Sequence, residues 1–557
     1  MKYSIGIDYG SLSGRCILVN IANGDVVATA ISKYTHAVMD RQLTDDIPLP
    51  LDWALQHPQD YIDVLFQTIP VVLHEANVDG KDIIGIGIDF TGCTVLPLDK
   101  TGTPLCFLPH LKSNPHSYVK LWKHHASQPE ADLINQVASD RKEPFLNRYG
   151  GKISSEWLFP KLLQILHDDP SLYDEIDCFI EAADWVPYYL TGNMTRNYCS
   201  LGFKAMWHSK QGFPSTEFFK ALDPRFEYVV QEKIKGKHVP VATNIGTLRP
   251  SLAHQLGLSP NVCVSSGHLD AACSLMGAGI NSDGSMLAVV GTSTCHMLLG
   301  KDEQYVPGIC GYVEDGFIPG FLGYEAGQSC VGDHFQWLIE NCTPSKYLSK
   351  AEQQKKTIFQ YLGELAAAKP AGANGLLALD WWNGNRSILN NGKLSGLLIG
   401  CTLQTKVEDI YRALIEATAF GTRVIVENFN KNGVPVKQVY FSGGIARKDP
   451  FMMQIYADVL GMDILIVETE ENAALSASIC GALAAKNNCG YFSFNEAIKN
   501  MSHISSRIFR PNLNNKIVYD ELYFEYCKLY EYFGDENRSV MKNLKKIAEG
   551  GKKQYEY

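Results

Sequence analysis

One pattern occurs twice in this chain and limits what it can fold into. Residues 5–19 run as an apolar strand, a turn of small and hydroxylated residues within "GIDYGSLSGR", and a second apolar strand. Residues 285–300, "SMLAVVGTSTCHMLLG", repeat that shape around Gly-Thr-Ser. A strand–turn–strand unit recurring in two halves of similar length predicts two related α/β domains. At 557 residues the chain is also too long for a single core. The expected division is 1–265 and 266–557.

The intervening pattern fits such domains. Residues 2–33 read as three short strands, followed by a helical stretch and a buried strand from Ile83, "IIGIGIDFTG". Residues 105–260 are mostly helical in pattern, with room for a substrate lobe. In the second half, strands around 308–325 and a helix near 333 precede a loop-rich stretch. A long helix follows from about Val407 to Asn428, with apolar Ile410, Leu414, Ala417, Val424 and Ile425. "QVYFSGGIARKDPFMMQIYADVLGMDILIVE" then reads as strand, Gly-Gly turn, helix and strand. Asp449 is placed as its N-cap, Pro450 at the first helical position and Gly461 at the C-terminal stop. The aromatic stripe from Tyr519 to Phe533 reads as a helix face packing onto the body.

Composition excludes several classes. The net charge is −10 with acids and bases interspersed, which argues against a nucleic-acid partner. No apolar run is long enough to span a bilayer, and no basic-then-apolar leader precedes the first strand. Fifteen scattered cysteines, an odd number without a C-x-x-C pair, read as buried free thiols in apolar strand-like runs such as those of Cys16, Cys295 and Cys480. The expected compartment is the cytoplasm.

The chemistry has to be carried without the familiar nucleotide signatures, since neither GxxxxGK[ST] nor G-x-G-x-x-G is present. Phosphates can still be held by backbone amides and hydroxyls converging from the Gly10–Ser13 and Gly291–Ser293 turns. Asp8 reads either as a cap of its turn or as a carboxylate beside a magnesium ion, which takes only one or two such ligands. Asp270, in "VCVSSGHLDAACSLMGAG", follows a strand and opens a helix. It reads either as a residue favoured by the helix dipole or as a base taking a proton from a substrate hydroxyl.

The motifs "GIDYGSLSGR", "SSEWLFPKLLQI" around Lys161, "GHLDAA", "VVGTST", "GKLSGLLIGCTLQTKVEDIYRALIEATAFG" and "FSGGIARKDPFMMQIYADVLG" occur in this order from residue 3 to about 490. This set resembles the FGGY carbohydrate kinases. The resemblance implies two duplicated actin-like, ribonuclease-H-like ATPase domains with a cleft between them. The chain length, "DFTGCT", "GFKAMW" and "GYEAG" are similar to members that phosphorylate L-ribulose with MgATP, a step in L-arabinose breakdown. The Met-His-Gly element of xylulose-specific members is replaced by Thr91-Gly92-Cys93. Other ketopentoses or pentitols, and an ATPase that drives partner binding, are the alternative readings.

Carried over by position, the resemblance makes Asp270 the general base and Asp8 the carboxylate near Mg²⁺. It sets Ser11, Ser13 and Arg15 around the transferring phosphate and makes Gly291 and Thr292 the second phosphate turn. Gly443 and Gly444 then lie against adenosine with Arg447 nearby. Lys204, Glu325 and the Thr91–Cys93 backbone contact the sugar. The bland alternatives are a surface lysine for Lys204 and a strand-end solvent carboxylate for Glu325. The implied partners are a small sugar and ATP, with a homodimer allowed. Where the family has Gly-Glu-Arg this chain has Gly384-Asn385-Arg386, so that loop is given no catalytic role. The histidines of "HLKSNPHSYVKLWKHH" fit no metal-ligand spacing and read as a solvated or interface segment.

Overall fold

The computed structural model describes residues 1–502, 507–535 and 537–554, and the chain forms two compact units. The first comprises 1–282, 312–323 and 471–504; the second comprises 283–311, 324–470 and 505–557. Among the described residues no helix is long and apolar enough to cross a membrane.

The first unit is built on a mixed sheet. Its strands run in the order Asn244–Thr247, Cys263–Ser265, Ile83–Phe90, Tyr3–Tyr9, Ser13–Asn20 and Val26–Lys33, with His268–Leu269 also pairing Ile83–Phe90. Tyr3–Tyr9 and Ile83–Phe90 are parallel, and their register sets Gly6 opposite Gly87, Asp8 opposite Asp89 and Tyr9 opposite Phe90. Alternation of side chains sorts these residues onto two faces. On one, Tyr9 stacks on Phe90 with centroids 4.7 Å apart and donates to Tyr61 O in the Pro58–Glu75 helix. On the other, Ser4 Oγ donates to Ser478 O at 2.8 Å in the Asn472–Ala484 helix.

That second face is where glycine is required. A Cβ on Gly6 would lie 1.9 Å from Ala474 O, and one on Gly87 would lie 1.7 Å from Ala477 O. Backbone therefore packs directly on backbone, and a helix rich in Ala, Ser and Gly seats flat on the sheet.

Between the strands of this sheet the chain elaborates a helical lobe around a core that includes Phe145, Trp157, Phe159, Leu162 and Phe218. Within it a four-stranded sheet runs Leu55–Gln56, Val119–Lys120, Val95–Leu98, Cys178–Glu181. Its register places Val95 between Lys120 and Glu181.

The second unit has its own mixed sheet. It runs from the Leu322–Gln328 strand, which belongs to this unit from Tyr324 onward, through Thr294–Gly300, Ser285–Val290, Gln438–Ser442, Ile464–Ile466 and Arg507–Phe509. The Val407–Lys431 helix buries Leu414, Ala417, Phe420 and Ile425. Tyr519, Tyr523 and Tyr526 of the Leu513–Gly534 helix pack against Phe420, as the stripe predicts. Asp449 caps its helix by accepting from Met452 N at 2.9 Å, and Gly461 ends it at φ 65°.

The described cysteines are all free. The cysteine reading changes in detail: Cys480 lies in a helix, where the run of small residues imitates a buried strand, Cys263, Cys295, Cys310 and Cys527 are only half-buried, and Cys342 and Cys401 are exposed. The 110–125 segment also departs from the solvated reading. His116 and His124 are buried around Lys120, whose Nζ lies 3.2 Å from His116 Nδ1 and 3.4 Å from His124 Nε2. Of the histidines in that run, His110 and His125 are the exposed ones.

Candidate active site

In the first unit the two neighbouring strands that end in "GIDY" and "GIDF" bring Asp8 and Asp89 side by side. Asp89 is fully buried, and neither of its carboxyl oxygens accepts a bond from any protein N–H or O–H. The two carboxyls are within hydrogen-bonding reach of each other. Burial, together with the negative charges of Asp8 and Asp270, pushes the Asp89 carboxyl well above the carboxylate range. Asp8 is raised as well, burial outweighing the lowering effects of Asp89 and Arg15. Of the pair, Asp89 is therefore the member that burial drives furthest toward its protonated form. The sequence reading missed Asp89; the signal was the repeated Gly-Ile-Asp-aromatic at two strand ends.

Asp270 reaches this group through the short His268–Leu269 strand, which pairs His268 with Asp89. It is the first residue of the Asp270–Gly277 helix, and its Oδ1 accepts from Ala271 N at 2.7 Å. His268 is buried and bonds Phe317 O at 2.9 Å through Nε2, which fixes the approach to Asp270.

The Gly10–Ser13 turn closes by Gly10 N donating to Ser13 O at 3.0 Å. Ser11 is held twice: its carbonyl accepts from Gln56 Nε2 at 2.8 Å and its Oγ from Trp122 Nε1 at 3.0 Å. Beside it opens a hollow of about 640 Å³ lined in part by Leu12, Asp40, Arg41, Trp53 and Lys123. Arg15 sits opposite Asp8 in the hairpin and pairs with Glu471 at 2.9 Å.

Thr91–Cys93 forms a tight loop after Asp89. Thr91 N donates to Tyr9 O, and Cys93 adopts a left-handed φ of 59°. A Cβ on Gly92 would meet Leu269 Cδ1 at 3.3 Å and Lys204 Cε at 3.6 Å, so the Lys204 side chain lies along this loop. Lys204 is 6% exposed, which removes the surface-lysine alternative.

In the second unit, parallel pairing of Ser285–Val290 with Gln438–Ser442 puts Val289 beside Ser442 and brings two glycine turns to one sheet end. Gly291 O and Thr292 O accept from Gly332 N at 3.0 Å and Val331 N at 2.7 Å, tying the first turn to the start of the Gly332–Cys342 helix. Gly443 has φ 103°, and a Cβ there would lie 2.2 Å from Val290 O; Gly444 faces open space. Arg447 Nη1 donates to Thr469 O at 3.2 Å, and its Nη2 lies 3.4 Å from Glu470 Oε1.

Glu325 lies inside the Leu322–Gln328 strand, 4% exposed, with Arg386 Nη2 donating to its Oε1 at 2.8 Å. The solvent-carboxylate alternative is therefore excluded. The retained arginine of the Gly384–Arg386 loop orients the carboxylate assigned to the sugar, a link that single-residue reading did not reach. Among the described residues no His/Cys/Asp/Glu group of three or more is arranged to hold a metal ion.

With this geometry in hand, the comparisons place the chain. Residues 3–277 match the N-terminal domain of the FGGY family of carbohydrate kinases, and residues 286–485 match its C-terminal domain. The chain is 51% identical over 538 residues to a ribulokinase of Bacillus licheniformis, covering 96% of this chain and 97% of that protein. It is 50% identical over 546 residues to a ribulokinase of Geobacillus thermodenitrificans, covering 98% and 97%. Among solved structures it is similar to a ligand-bound xylulose kinase from Lactobacillus acidophilus, with TM-score 0.78, 18% identity and 96% and 99% of the two chains covered. A glycerol kinase from Plasmodium falciparum with ADP gives 0.75 at 16% identity, over 96% and 98%. At those identities the structures establish the fold, which is the actin-like α/β fold that the motifs imply. The chain belongs to the FGGY family of carbohydrate kinases.

Proposed function

We propose that this protein phosphorylates L-ribulose to L-ribulose 5-phosphate at the expense of ATP, the donor implied by membership of a kinase family. One observation carries the reading: identity of about half the residues, over nearly the whole length of both chains, to proteins named ribulokinase.

Asp270 takes the proton from the sugar's terminal hydroxyl as that oxygen attacks the γ-phosphorus, and the bond from the γ-phosphorus to the bridging oxygen of ADP breaks in line. Lys204, Glu325 and the Thr91–Cys93 backbone bind the remaining hydroxyls. Amides and hydroxyls of the Gly10–Ser13 turn, with Ser11, Ser13 and Arg15, take up charge on the transferring phosphoryl group. Gly291 and Thr292 hold the nucleotide phosphates, and Gly443, Gly444 and Arg447 seat the nucleoside.

The carboxyls around Asp8 fit a magnesium ion in chemistry. Asp8 supplies carboxylate oxygens, it is the more accessible of the pair, and Asp89 beside it meets no protein donor. Asp8 would hold the ion, which when bound neutralises phosphate charge.

The test is ADP release with MgATP against L-ribulose, D-ribulose, ribitol, xylulose and glycerol. A clear maximum with L-ribulose supports the reading. A maximum with another pentulose or pentitol reassigns the substrate. Sugar-independent ATP hydrolysis alone overturns the kinase reading in favour of a partner-driven ATPase.

A further inference from the structure

The "SSEWLFPKLLQI" motif puts a lysine in the buried first turns of the Leu158–Asp168 helix, beside Phe159, Leu162 and Leu163. Lys161 is 0% exposed. Burying an ammonium is costly unless each of its N–H groups finds an acceptor and a counter-charge stands near. Here the acceptors are three main-chain carbonyls: Cys93 O at 2.6 Å, Leu121 O at 2.8 Å and, more distantly, Lys120 O at 3.4 Å. The nearby acid is Glu181, also buried, whose Oε2 accepts from Thr94 N at 3.0 Å and whose carboxyl burial pushes up to about 8. Burial lowers the Lys161 ammonium to about 8, while Cys93, Glu181 and Glu156 pull it upward.

The carbonyls it gathers belong to two segments, and each leads to a part of the site. Cys93 ends the Thr91–Cys93 loop and sits in the left-handed region at φ 59°, a conformation a non-glycine residue keeps only where its surroundings fix it. Leu121 immediately precedes Trp122, whose indole N–H donates to Ser11 Oγ at 3.0 Å. One ammonium thus joins the loop assigned to the sugar with the segment that holds the first phosphate turn. A lysine serving packing alone has no reason to end on those two carbonyls.

We propose that Lys161 is a positioning residue for the sugar: it clamps the Thr91–Cys93 loop through the Cys93 carbonyl and ties it to the Trp122–Ser11 segment. The proposal rests on the functional reading above, in which that loop lines the sugar pocket. Glu181 supports the clamp from the opposite side of the loop through the Thr94 amide.

The test compares the wild-type protein with Lys161→Met and Lys161→Gln, measuring KM for the preferred sugar of the panel, KM for ATP, kcat and Tm. Misplacing a binding loop by about 1 Å costs up to ~10²-fold. Lys161→Met is therefore expected to raise the sugar KM by about tenfold or more, with the ATP KM within about twofold. Lys161→Gln, which keeps two N–H donors, is expected to fall between. A purely structural role would lower Tm without separating the two KM values. An active wild type beside a Lys161→Met protein with unchanged sugar KM, or with both KM values shifted alike, overturns the Lys161 assignment alone. If neither variant folds, Lys161 belongs to the core and the proposal fails. If the wild type shows no sugar-dependent ADP release, the functional reading fails and this one falls with it.

Discussion

Asp89 stands opposite Asp8 at the end of the adjacent parallel strand, and burial, with the charges of Asp8 and Asp270, pushes the Asp89 carboxyl well above the carboxylate range. The arrangement depends on burial: Asp89 is wholly enclosed and Asp8 only partly so, which makes protonation of the inner carboxyl the cheaper choice.

Replacement at Asp89 separates donor from charge. Asparagine keeps an N–H that can donate to Asp8, whereas valine cannot. A hydrogen bond to a charged group contributes about 1.5–3 kcal/mol, or ~10–10²-fold. Asp89→Asn is expected to keep kcat within about tenfold, while Asp89→Val loses ~10²-fold. Steady-state ADP release decides it, and equal activity in the two variants would show that a hydrogen bond to Asp8 is dispensable.

Asp270 makes a different prediction. Asp270→Asn keeps the shape and the contact to Ala271 N but removes the proposed base. The expected loss in kcat is about 10²–10⁴-fold, the share general-base catalysis commonly contributes. ATP affinity, measured by titration calorimetry, should change little, because the nucleotide turns lie in other segments of the chain. A variant that keeps most of its kcat would move the base elsewhere.

How much of this was legible in the sequence varies by the physical signal involved. The hairpins at 3–20 and 285–300 were readable because two short apolar runs joined by small turn residues have few other outcomes. The cap at Asp449 and the stop at Gly461 were readable because they are local. The Asn472–Ala484 helix shows why the rest was not. Its residues are small and apolar all round, so its packing partner is set by Gly6, Gly85 and Gly87 hundreds of positions away. Lys161 and Arg386 escaped for the same reason: their partners, the Cys93 carbonyl and Glu325, are distant in sequence. The role of Asp89 depends on strand register, which no single segment contains.

That glycine packing is itself testable. Gly87→Ala places a methyl 1.7 Å from Ala477 O, a backbone atom that cannot turn aside. The Asn472–Ala484 helix must lift from the sheet, and overpacking of this kind costs roughly 1–3 kcal/mol, or more where backbone must move. A lowered Tm with reduced yield is expected. An unchanged Tm would mean that the helix and sheet yield more easily than their close contact indicates.

Asp380 gives the stability of the second unit a pH dependence of known sign. Its carboxyl is buried, accepts from Gln328 Nε2 at 2.8 Å, and is raised from 3.8 to about 7 by burial, with the Gln328 bond opposing. The folded state therefore holds a proton that the unfolded chain releases near its ordinary pKa. The stabilisation is fully present below pH 3.8, declines as pH rises, and is gone above about 7. At ~1.4 kcal/mol per unit, the swing attributable to this group reaches at most ~4 kcal/mol across that window. Asp380→Asn cannot ionise, and its Oδ1 can still accept from Gln328. The variant should lose the Asp380 part of the decline, so that its Tm relative to wild type rises steadily from pH 4 to pH 7.5. A constant difference in Tm across that range would mean that Asp380 ionises in the folded protein as readily as in the unfolded chain.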